Sequence, residues 1–124
     1  MSTKTDFTNW LDRINKTETV SDSIVAFNFG LFETESSYTI YLTGSETFDE
    51  EDDDWATNVN FEPEDKYFEL DPSTMKGKDW EKALEVYEGL VSEYVNSENF
   101  NNSIFKNAEA ITTGFDDGNL VRVK

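Results

Sequence analysis

Two stretches of the chain carry apolar residues at helical spacing. Phe7, Trp10, Leu11 and Ile14 fall at i, i+3, i+4 and i+7, which predicts a short amphipathic helix. Thr5 or Asp6 caps it, and it ends near Lys16. The second and clearer helix spans residues 79 to about 96. Trp80, Ala83, Leu84, Tyr87, Leu90, Val91 and Tyr94 line one face. Glu81, Glu85, Glu88 and Glu93, with Lys82, fill the other, and Gly89 weakens the helix slightly.

The remaining apolar residues follow a period of two. Residues 23–32 predict a first strand, with Val25, Phe27, Phe29 and Leu31 on one face and Ile24, Ala26, Asn28, Gly30 and Phe32 on the other. Apolar residues on both faces predict a central strand. Asn28 and Gly30 interrupt the second face, which reads as a bulge or close crossing, or as a shallow site. A polar turn at 33–37 leads to a second strand at 38–43, with Tyr38, Ile40 and Leu42 opposite Thr39, Tyr41 and Thr43. Residues 56–61 alternate weakly, as an edge strand would. Pro63 sets a turn at 62–65, residues 66–70 predict a short strand, and 71–77 a loop. Residues 97–102 predict a polar loop and 103–107 one further turn. The chain closes in a hairpin of residues 109–115 and 120–124 around Asp117-Gly118, since glycine accepts the positive φ of a tight turn. Hairpins with few helices predict an α+β fold: an antiparallel sheet built from hairpins, with two main helices packed on it.

Between the second strand and residue 56 lies a different kind of sequence. Glu46, Asp49, Glu50, Glu51, Asp52, Asp53 and Asp54 place seven carboxylates in nine residues, followed by Trp55. Unpaired charges are too costly to bury, so a stiff apolar hairpin is expected to present a dense negative surface. No Lys or Arg occurs between Lys16 and Lys66, a span that holds fourteen carboxylates.

Composition sharpens this. At 124 residues the chain is read as one domain, 1–124. Aromatics at 15% are far richer than in a disordered acidic chain. The net charge of -17 exceeds the magnitude of about 2–8 that keeps a small domain soluble. It disfavours direct binding of nucleic acid or of an anionic membrane, and it accelerates encounter with a basic protein. With no Cys and no His, thiol chemistry, imidazole catalysis and the usual zinc ligands are missing. No apolar run reaches membrane-spanning length, and the first residues lack the apolar core of a signal peptide, so a cytoplasmic location is expected.

Three uses of the acid run differ in the chemistry they require. A basic protein, such as a nucleic-acid enzyme, offers a surface that carboxylates can occupy. Trp55 then serves either as an interface anchor or as a core residue closing the loop. For a cation site, contiguous acids without the glycine of a calcium loop cannot converge on one ion, so no metal and no cofactor are expected. For glycoside-type hydrolysis two carboxyls must be set apart by environment, and nothing in the sequence selects a pair. Asp116 and Asp117 fit turn chemistry better. An enzyme, such as a carboxylate-based hydrolase, is the distant alternative.

The segments Phe29-Gly30-Leu31-Phe32-Glu33, Asp53-Asp54-Trp55-Ala56 and Gly114-Phe115-Asp116-Asp117-Gly118, in an acidic, cysteine-free α+β chain, resemble the small immunity proteins of bacterial polymorphic-toxin and contact-dependent inhibition systems. That resemblance implies tight one-to-one neutralisation of a cognate toxin but carries over no binding residue; the charge of the run and the aromatic at its end make residues 46 and 49–55 the expected contact set. The alternative is a DNA-mimic inhibitor, whose carboxylates replace phosphates on several DNA-binding proteins.

Overall fold

In the computed structural model the N-terminal stripe forms helix α1, Thr3–Thr17. The structure describes residues 3–34, 38–69, 80–115 and 120–124, without the side chains of Thr3, Lys4, Asp53 and Trp80. Phe7, Trp10, Leu11 and Ile14 are all buried, as their spacing predicts. Strands β1 (Ala26–Glu33) and β2 (Tyr38–Ser45) follow, then a 3-10 turn at Asp53–Thr57 and strand β3, Tyr67–Glu69. Helix α2 covers Trp80–Val95 and a single turn, α3, Glu98–Asn101. Strands β4 (Ala110–Phe115) and β5 (Val121–Arg122) end the chain. Leu70, the loop at 71–77 and the Asp116–Asn119 turn lie outside the described residues, as does most of the 33–37 turn.

The five strands form one sheet in the order β3-β2-β1-β4-β5. The hairpins are present: β1 with β2, β2 with β3 and β4 with β5 are antiparallel. The two halves join differently, because β4 runs parallel to β1, with Ala26 opposite Ala110 and Gly30 opposite Gly114. A parallel neighbour needs a crossover, and the chain between β1 and β4 contains α2. The fold is thus α+β with a mostly antiparallel sheet, and β1 is central, as its two apolar faces predict.

Both long helices cover one face of the sheet. Phe27, Phe29, Leu31, Ile40, Leu42 and Ile111 join Phe7, Trp10, Leu11, Ile14, Ala83, Tyr87 and Val91 in one core. Rings interlock across it: Trp10 stacks on Phe68 at 5.5 Å, and Phe27 meets Phe105 edge-on at 4.8 Å. Among the described residues the buried side-chain polar groups are paired. The Tyr87 hydroxyl donates to Tyr38 O at 2.9 Å, and Asn15 donates to the Tyr94 hydroxyl at 3.0 Å while accepting from Ile104 N. Leu84 is only partly buried, at the edge of the stripe that Ala83, Tyr87 and Val91 centre.

Two expectations are corrected at the ends of strands. The alternation of β1 does not extend back to residue 24, because Ile24 N bonds to Ser21 O in a turn. Ile24 therefore joins the main core, and Val25 packs with the residues on the opposite face. Residues 56–61 form no edge strand. The 3-10 turn takes the first two of them, and only Phe61 makes a bridge, to Gly44. No helix among the described residues is long and apolar enough to cross a membrane.

Candidate protein-binding surface

The second face of the sheet carries no helix among the described residues. Ala26, Asn28, Gly30 and Phe32 from β1 lie beside Ser45, Thr43, Tyr41 and Thr39 from β2 and Ala110, Thr112 and Gly114 from β4. Small and polar side chains dominate, and two of those buried there are bonded to each other: the Thr112 hydroxyl donates to Asn28 Oδ1 at 3.0 Å. The acidic segment after β2 folds back over one end of this face.

That segment is fixed by its own polar groups. Ser45 Oγ accepts from Thr47 N and donates to Trp55 O at 3.3 Å. Glu46 N donates to Asn60 Oδ1 at 2.9 Å, and the Glu46 carboxylate accepts from the Ser23 hydroxyl at 2.7 Å. Asp49 accepts from Glu51 N at 2.9 Å, and Asp52 caps the 3-10 turn by accepting from Asp54 N at 3.0 Å. Two aspartates of the run thus satisfy backbone donors that the loop would otherwise leave to water. Glu46, Asp49, Glu50, Glu51, Asp52 and Asp54 are all exposed, and the side chain of Asp53 lies outside the described residues. Among the described residues no three acidic side chains come together as a cation cage would require.

Trp55 takes the second of the two roles open to it. It is 5% exposed and packs with Ala26 and Ala110, flanked by Phe48 and Val25; its ring meets Phe48 edge-on at 5.2 Å. It closes the loop onto the sheet, and as packed offers little surface to a partner. The acid run is also not free of cations. Arg122, on the last strand, pairs with Glu50, lies over the Phe48 ring at 5.1 Å and donates to Glu109 O at 3.1 Å. In the sequence every base lies outside the run, and it is β5 that returns Arg122 beside it.

Beside the 3-10 turn, on the β2–β3 side of this face, lies a groove that the sequence does not single out. Its walls are Phe32, Tyr41, Ala56, Val59 and Tyr67, with Lys66 at the rim, around a cavity of about 350 Å³. Gly30 makes room for it. The Tyr41 ring lies across the glycine, so that a Cβ there would sit 2.2 Å from Tyr41 Cζ. The interruption of β1 is therefore a close crossing. Helix α1 fixes the approach to β3: Trp10 Nε1 donates to Asp65 O at 2.8 Å, and Arg13 pairs with Asp65 at 3.2 Å. Lys66 O in turn accepts from Leu42 N.

No protein-family model matches the chain, and neither a curated protein nor a solved structure matches it. The functional reading therefore rests on the surface itself.

Proposed function

We propose that this chain is an immunity-type protein that neutralises a basic protein toxin by binding it one to one, with no catalysis of its own. The observation that carries this reading is the acidic loop: six exposed carboxylates, from Glu46 to Asp54, on a segment cross-bonded to itself and held on the sheet by Trp55. Like charges so close repel, which costs stability. A preorganised loop keeps that charge in place, so less ordering entropy is lost when an oppositely charged surface docks. Long-range attraction then raises the encounter rate. A toxin that acts on nucleic acid fits best, because its working surface must be basic to attract phosphate.

The test is co-expression with any toxin domain that a gene beside this one encodes. Relief of toxin-induced growth arrest, together with a one-to-one complex by size exclusion with light scattering, is the expected result. No relief and no complex would overturn the proposal. Equal binding to several unrelated DNA-binding proteins would replace it with the DNA-mimic reading.

A further inference from the structure

Charge alone gives attraction without an address, and the groove on the sheet supplies one. Val59 and Tyr67 are the large apolar side chains exposed among the described residues, at 45% and 54%, and both line this cavity. Its aromatic faces already hold a cation. Lys66 Nζ lies 5.6 Å from the centre of the Tyr41 ring and 5.5 Å from that of Tyr67, with a Glu62 carboxylate oxygen 3.0 Å away. Phe32 packs at 6.1 Å from both tyrosines and completes the aromatic set. Ring faces attract cations through their quadrupole, and the carboxylate adds to the attraction.

We propose that this groove receives an arginine side chain of the basic partner, for which Lys66 is an internal stand-in. The inference rests on the reading of the partner as a basic protein. Arginine is favoured because its guanidinium is planar, stacks on rings and is more weakly hydrated than an ammonium. The cavity lies at the small end of the range of ligand sites, about 300–1,000 Å³, which suits one side chain. The groove wall at Ala56 and Thr57 belongs to the 3-10 turn that directly follows the acid run. A segment steered by the run is thereby delivered to the rings, while an anionic segment is repelled by the net charge of -17.

Hexa-arginine and hexa-lysine peptides serve as probes, titrated at low salt into the isotopically labelled protein. The expected result is that hexa-arginine shifts the amide signals of Phe32, Val59 and Tyr67. Tyr67→Ala keeps the net charge, and it should weaken hexa-arginine about fivefold, the equivalent of a cation–π contact of about 1 kcal/mol, and hexa-lysine less. Val59→Ser, outside the strands, repeats the test should Tyr67→Ala disturb β3. Lys66→Met empties the cage and should tighten hexa-arginine about threefold more than Lys106→Met, an exposed control that removes the same charge. Shifts confined to residues 46–54, with Tyr67→Ala and Val59→Ser matching wild type and Lys66→Met matching Lys106→Met, would overturn the arginine site and leave the charge-led function standing. If neither peptide binds, both proposals fail.

Discussion

Replacing Gly30 by alanine tests the geometry on which the groove depends. The new Cβ would lie 2.2 Å from Tyr41 Cζ and 2.4 Å from its hydroxyl, well inside contact distance. The backbone of Gly30 is in ordinary extended pairing with Tyr41 and Gly114, so alanine meets no objection from the main chain. The whole cost is the displacement of the ring, and overpacking of this kind costs about 1–3 kcal/mol. With Tyr41→Ala the obstacle is gone. A strand alanine then gains about 0.5–1 kcal/mol over glycine, which loses more freedom on folding. Gly30→Ala should therefore destabilise the wild type and stabilise the Tyr41→Ala protein, a coupling of about 1.5–4 kcal/mol between the two sites. Urea unfolding of the four proteins measures it, provided the slope of the transition stays constant. Equal destabilisation in both backgrounds would show that the glycine serves the backbone. No effect in either would show that the ring does not lie there.

Burial pushes the Tyr87 phenol well above its ordinary value near 10, with Glu69 and Tyr38 adding to the rise, and burial also raises Tyr94 against the opposing hydrogen bonds of Asn15 and Ser103. The folded state thus prefers both neutral, so their contribution is intact below the unfolded pKa of about 10 and is lost as pH climbs above it, for Tyr87 with a slope that approaches about 1.4 kcal/mol per pH unit. Tyr87→Phe should remove about 1.4 kcal/mol of the stability lost between pH 9 and 11; an unchanged loss would contradict the burial. Trp55→Ala should cost about 3 kcal/mol, the low end for a buried aromatic, and speed amide exchange across residues 46–58; a loss under about 1 kcal/mol would return Trp55 to the surface. Leu11→Ala, fully buried, should cost about 2–5 kcal/mol, and the half-buried Leu84→Ala under about 2 kcal/mol, a ranking that urea midpoints decide.

Periodicity made the helices, the β1–β2 hairpin and the class of the fold legible, because Phe7 to Ile14, Phe27 to Leu31 and Tyr38 to Leu42 each bury a regular stripe. What it missed was set by contacts distant in sequence. The parallel register of β4 against β1 leaves no mark in either strand. Asp52 and Asp49 look like any other acids until their backbone partners are known. A turn drawn over 33–37 would set Gly30 against Ile40; the actual pairing of Glu33 with Tyr38 sets it against Tyr41. That one-residue difference decides which face a side chain shares, and it hid the groove. Of the expected contact set, the carboxylates whose side chains are described are exposed, whereas Trp55 is inside.

The acidic loop is proposed to lead the protein to a basic partner, and association kinetics with the toxin that co-expression identifies test this most directly. Stopped-flow rates at ionic strengths of about 0.01 and 0.15 M, where screening lengths fall from about 30 to 8 Å, would be compared for wild type and for a variant carrying D49N, E50Q, D52N and D53N. The expected result is a wild-type association rate that falls at least tenfold with salt, a variant with a slower and flatter profile, and dissociation rates that change little in both. Association indifferent to salt, or a variant whose profile matches wild type with the fold intact, would contradict it.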